Sequence, residues 1–198
     1  MPGISSAMAV RPHLPLSVGY TAGSYYGPSV QGGTFNAGVG AVDANRDYYV
    51  PFLCRRTTTF DRIAIYNTAA VTINLRLGIF SDDGGGSPGT KLVDGGQLTT
   101  SGAAGDNAAT ISQQLVGGTL YWLAITADTN VSLQAITSGS GSTPGWDNVA
   151  DFALPAIAAF ASNTMVAFAS RAYAAFPSTA TAPSDFGLSV PFIRLRAA

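Results

Sequence analysis

One stretch of this chain carries residue types at spacings that catalysis or nucleotide binding would use. It is Gly84-Gly85-Gly86-Ser87-Pro88-Gly89. Gly84, Gly86 and Gly89 fit the G-x-G-x-x-G of a dinucleotide loop, and Gly85, Ser87 and Gly89 fit the G-x-S-x-G of a nucleophile elbow. Both devices need a helix after the loop, either to aim its N-terminus at a pyrophosphate or to hold a strained serine. Here the loop leads into TKLVDGGQLTT, which reads as a strand. An elbow triad also runs serine, acid, histidine. The chain has one histidine, His13, and it lies upstream beside Pro12. The stretch therefore reads as a hairpin turn made by Asp, Gly and Pro. Asp82 and Asp83 offer oxygens, but calcium takes roughly 6–8 of them and no EF-hand loop pattern occurs. No metal or cofactor is expected, and the inventory argues against an enzyme.

Two further residues invite a chemical reading. Trp146 sits in the Gly/Ser loop SGSGSTPGWDN, beside Asp147 and Asn148. An aromatic ring next to short polar side chains suits a sugar, with the ring on its apolar face and the polar groups on its hydroxyls. The alternative is that Trp146 folds back and plugs the end of the domain. Cys54 lies in the apolar stretch VPFLCRR and reads as a buried structural thiol; as the one cysteine, it has no intrachain disulfide partner.

The composition says what kind of scaffold must hold such residues. Charged residues are 11% of the 198, against about 25% in an average soluble domain. All eleven acids are Asp, and nine of the ten cations are Arg, with Lys91 the exception. Glu and Lys normally clothe exposed helices, so little exposed helix is expected. Twenty-three Gly and eleven Pro suit short strands and turns. A net charge of −1 gives no footprint for nucleic acid. No apolar run approaches the roughly 20 residues that span a bilayer, so no membrane insertion is expected. The N-terminus MPGISSAMAVRPHLPL shows no signal-peptide pattern.

Along the chain, residues 1–45 interleave Pro and Gly with Tyr20, Tyr25, Tyr26 and Phe35, which predicts an extended arm that docks its aromatics on something. Residues 46–198 predict a sandwich domain. Val71, Ile73, Leu75, Leu77 and Ile79 alternate with other residues at period two, the mark of a half-buried strand. With Ile63 and Ile65 before them, 59–80 reads as a hairpin. Further strands are expected near 90–99, 107–116, 119–127 and 131–137, with a bulge at Gly95-Gly96. Trp122 is expected in the core on one face with Leu120 and Ala124. Residues 165–176 read as a strand pair or long strand, 177–184 as a Pro/Ser/Thr/Ala linker, and the C-terminal LSVPFIRLRAA as a returning strand. The whole predicts an all-β, antiparallel sandwich of eight or nine strands, jelly-roll-like, with an extended N-terminal arm.

The segments ANRDYYVPFL (44–53), TTTFDRIAI (57–65), LRLGIFSDDGGGSPGTKLVDGG (75–96) and TLYWLAI (119–125) resemble bacteriophage and prophage virion proteins of the tail-fibre, head-fibre or minor structural type. The late PFI-x-L-R strand is similar as well. The resemblance implies a homotrimer that contacts other phage virion proteins through its N-terminal arm, in agreement with the docking aromatics Tyr20, Tyr25, Tyr26 and Phe35 read above. It implies a virion component, assembled in the bacterial host cytoplasm, whose sandwich points outward; joined to the sugar reading of Trp146, Asp147 and Asn148 given above, this makes contact with a host surface glycan the first expectation. A capping or stapling subunit that touches no host is the alternative.

Overall fold

The computed structural model describes residues 19–28, 35–138, 166–187 and 189–198. Among them every regular element is a strand. In chain order these are β1 (Tyr25–Tyr26), β2 (Phe35–Val42), β3 (Arg46–Cys54), β4 (Thr58–Asn67), β5 (Asn74–Asp82), β6 (Pro88–Thr99) and β7 (Gly105–Leu115). Then follow β8 (Thr119–Ala127), β9 (Val131–Ser138), β10 (Val166–Ser170), β11 (Asp185–Gly187), β12 (Ser189–Pro191) and β13 (Arg194–Ala197). They form two antiparallel sheets of a jelly-roll-like sandwich. Sheet A runs β1-β13-β4-β9-β12, with β2 on β9 and β7 on β4; sheet B runs β11-β10-β3-β8-β5-β6.

The period-two pattern decides which side chains meet between the sheets. Leu75, Leu77 and Ile79 of β5, Leu123 and Ile125 of β8, and Ile63 and Ile65 of β4 all point inward and are fully buried. Each such side chain contributes about 1.5–3 kcal/mol by leaving water. Ile193, just ahead of β13, and Leu195 and Ala197 within it close the core, while Arg194 and Arg196 stay half-exposed, as their alternation requires.

Several strands of the central region fall where the pattern puts them, but their partners differ from the expectation in one place. Residues 59–80 are not a hairpin. β4 pairs with β13 and β7, whereas β5 pairs with β6 and β8 in the other sheet. The connection crosses between sheets, held where Thr68 N–H donates to Ser132 O (3.0 Å) and Thr100 N–H to Ile73 O (3.0 Å). Two strands that bury the same face against one core sit in opposite layers, a relation that alternation alone does not separate from hairpin pairing. The hairpin lies one strand later, β5 to β6, around the Asp/Gly turn, where Asp83 N–H donates to Ser87 O (2.9 Å).

The bulge at Gly95-Gly96 is present. Arg76 faces Gln97 and Gly78 faces Asp94, so both glycines stand opposite Leu77. Gly96 has φ of 80°, and a Cβ on Gly95 would lie 2.6 Å from the Cβ of Ala109. Only glycine fits both needs.

Strand formation begins ahead of residue 46, because β2 pairs with β9 along its whole length, from Phe35 with Ser138 to Val42 with Val131. More strands appear than the eight or nine expected, mainly because β1, β11, β12 and β13 are pieces of two to four residues. After β10 the chain leaves the ladder. Residues 171–181, expected as strand and linker, lie across the outer face of sheet B.

Candidate functional site

The outer face of sheet B is apolar. Tyr49 of β3, Phe80 of β5, and Trp122 and Ala124 of β8 form a second buried cluster with Ala167, Ala169 and Phe176. Phe176 comes from the 171–181 strap and is 2% exposed. Its ring meets Phe80 edge-on at 5.6 Å, and Phe80 meets Tyr49 likewise at 5.5 Å. The strap rests on Gly78, where an added Cβ would come within 3.0 Å of the Phe176 ring. This explains a glycine inside a strong strand. The pattern places Trp122 correctly beside Ala124 and the partly buried Leu120, but on the outer cluster and not between the sheets.

Polar groups pin the strap at both ends. Asp47, fully buried, takes a two-pronged hold from Arg171, whose Nη2 donates to Oδ1 at 2.9 Å and whose Nε donates to Oδ2. The Asp47 hydrogen bond pushes the Arg171 guanidinium above its ordinary pKa. Burial, and then the Asp47 charge, push the neighbouring Tyr49 phenol up. Further along, Phe176 N–H donates to Asp94 (3.1 Å), Lys91 Nζ donates to Phe176 O (2.6 Å), and Ala180 N–H donates to Gly89 O (2.8 Å). The supposed linker thus ties down the edge of β6.

The outer face of sheet A differs. Register sets Tyr25, Arg196, Arg62 and Thr110 side by side across β1, β13, β4 and β7. Tyr66 pairs with Asp106 further along the same face. Asp61 receives Arg196 through both oxygens, at 2.8 and 2.6 Å, and this holds its carboxyl below the usual value. Asp106 receives Arg194, whose guanidinium lies 5.2 Å over the Tyr25 ring. Tyr25 and Tyr66 stay exposed, at 41% and 37%.

The docking aromatics of the expected arm are found in different settings. Tyr20 packs edge-on against Phe60 (5.2 Å) and Tyr26 (4.7 Å), and its hydroxyl accepts from Arg55 N–H (3.0 Å). Burial pushes its phenol up to about 12. Tyr26 packs on the main core. So Tyr20 and Tyr26 dock on this chain's own sandwich, whereas Tyr25 faces out. Phe35 opens β2. Trp146, Asp147, Asn148 and His13 lie outside the described residues.

The aspartates behave as turn and pairing groups. Asp82 accepts from Gly84 N–H (2.8 Å) and from Trp122 Nε1 (3.0 Å); Asp83 accepts from Gly85 N–H (2.6 Å) and Ser87 N–H (3.1 Å). Asp128 holds Asn74 through its backbone and side chain. Cys54 is buried, its thiol directed at the Arg56 carbonyl (3.1 Å) and pushed up by desolvation. No cluster of three or more metal-ligating side chains occurs among the described residues. The strap and the arginine-tyrosine face escaped sequence reasoning, because their parts come from strands far apart in the chain. No protein-family model matches the chain, and no curated protein matches it.

Proposed function

We propose that this chain is a non-enzymatic structural protein of a bacteriophage particle, a fibre, spike or decoration component. Its N-terminal segment anchors it to other virion proteins, it associates as a homotrimer, and it is assembled in the host cytoplasm. Weak glycan contacts, including Trp146, Asp147 and Asn148, meet the host surface, with avidity from several copies making weak sites sufficient. The observation that carries this reading is the block of residues 75–96 that resembles virion proteins, which forms the continuous β5-turn-β6 hairpin. The engagement of the described aspartates supports the non-enzymatic part, since each one whose side chain is described already holds an arginine, an amide, a hydroxyl or an indole.

A second reading, a capping or stapling subunit without host contact, draws on β7. This strand pairs with β4, and of its eleven residues only Asp106 is charged. An edge so poor in charge suits cover by a neighbouring subunit.

Because Tyr20 and β1 belong to the sandwich, the anchoring test is deletion of residues 1–18. The expected result is a folded protein missing from particles. A normal copy number in particles refutes the anchor. Particles carrying Trp146→Ala that adsorb to host cells at the normal rate decide for the capping reading.

A further inference from the structure

The charges of this nearly neutral chain are segregated. The outer face of sheet A holds Arg62, Arg194 and Arg196, and the turn that feeds β4 adds Arg55 and Arg56, both exposed. Only Asp61 and Asp106 oppose these five arginines, a local excess of three positive charges. Sheet B and its connecting turns hold seven aspartates (Asp43, Asp47, Asp82, Asp83, Asp94, Asp128 and Asp185) against Arg46, Arg76, Lys91 and Arg171, an excess of three negative charges.

The arginines differ in how far they are committed. Arg194 and Arg196 are paired to carboxylates. Arg62 donates to the Thr110 hydroxyl (2.6 Å) and the Asp61 carbonyl. Arg55 and Arg56 have no carboxylate within ion-pair distance among the described residues. Three guanidinium groups are thus left to meet an anion, and a guanidinium matches a carboxylate through two parallel hydrogen bonds. The pairs Arg196–Asp61 and Arg194–Asp106 present further donors and acceptors between the two exposed tyrosines.

We infer that this stripe, from Arg55 and Arg56 across Arg62 to Tyr25 and Tyr66, binds an acidic polysaccharide of the uronate class. The carboxylates of the polymer meet Arg55, Arg56 and Arg62. The apolar faces of its rings lie on Tyr25 and Tyr66, and its hydroxyls donate to Asp61 and Asp106. Those two aspartates discriminate against duplex nucleic acid, whose phosphates they repel and whose backbone offers them no hydroxyl. The inference extends the attachment reading by naming a surface and a ligand class. It is tested on isolated protein, so its outcome is independent of whether the chain belongs to a particle.

The experiment is titration of the full chain with polygalacturonate, with neutral dextran and duplex DNA as parallel arms. Binding to polygalacturonate that weakens steeply between 50 and 200 mM salt is expected, in the manner of any multi-contact polyanion complex, with the dextran arm silent. The triple variant Arg55→Ser/Arg56→Ser/Arg62→Ser is expected to weaken binding by roughly tenfold or more, each lost contact being a charge-assisted one. Tyr25→Ser with Tyr66→Ser is expected to weaken it at constant salt slope. Arg46→Gln, at the opposite-charge end, serves as the control that leaves binding unchanged, and unfolding midpoints confirm that all variants are folded. Absence of binding, equal binding to dextran, preference for DNA, or an unaffected triple variant each overturns the inference.

Discussion

On the outer face of sheet B, Tyr49, Phe80 and Trp122 lie under a strap that brings its own phenylalanine and a buried ion pair. On the outer face of sheet A, Tyr25 and Tyr66 stand exposed among arginines whose partners are half-exposed. The same fold therefore uses the same residue types for opposite ends. An Arg–Asp pair beside aromatic rings is a structural fastener where Asp47 is fully buried, and a surface group where Asp61 is a third exposed. The difference teaches that burial, not residue identity, sets what such a cluster contributes. A buried charge stripped of its partner is severely destabilising, while an exposed pair contributes little either way.

The sharpest test compares the two arginines directly. Arg171→Met leaves the Asp47 carboxylate buried without its partner, and about 3–5 kcal/mol of stability is expected to be lost. Arg196→Met breaks a comparably close pair in contact with solvent and is expected to change stability far less than Arg171→Met does. Urea unfolding of both variants measures this, and equal losses break the comparison. Next in size is the pair of aromatic truncations. Phe176→Ala opens a cavity above Gly78 and is expected to cost about 3 kcal/mol. Tyr66→Ser on the other face is expected to stay within roughly 0.5 kcal/mol.

A smaller effect comes from crowding beneath the strap. Gly78→Ala pushes a methyl group against the Phe176 ring and the Val93 carbonyl, at an expected cost of about 1–2 kcal/mol. The signature of this variant is faster proteolysis within 171–181 while the centre of the sandwich stays protected.

The last effect is confined to alkaline pH and belongs to the sheet A side. The Tyr20 phenol has its pKa raised from 10.0 to about 12 in the fold. The folded protein therefore keeps a proton that the unfolded chain gives up above pH 10, so stability falls as pH rises from 10 toward 12 and is unaffected below 10. Tyr20→Phe, compared with the parent across that window, is expected to flatten the decline.

Much of the sandwich was legible because its signals are local. Period-two alternation, Asp/Gly turns and the Gly95-Gly96 bulge each act within a few residues, so β5 to β9 fall close to where the pattern places them. The layer of each strand was not legible, since β4 and β5 bury the same kind of face from opposite sheets. The strap was misread for a related reason. Its small residues have linker composition, and the Asp47 that pairs with Arg171 lies 124 positions away in sequence. The arginine-tyrosine face is spread over four strands, and no spacing along the chain announces it.

The place of β13 has a consequence for how the protein is made. This strand lies between β1 and β4, and it joins Leu195 to Ile63. A ribosome adding roughly 5–20 residues per second delivers β4 on the order of 10 s before β13. During that interval one flank of β4 has no strand to accept its amides, and the nascent sandwich is an unfinished sheet. Completion is thus a late, single event, and a chain broken off before residue 194 retains most of the hydrophobic core but never closes its first layer.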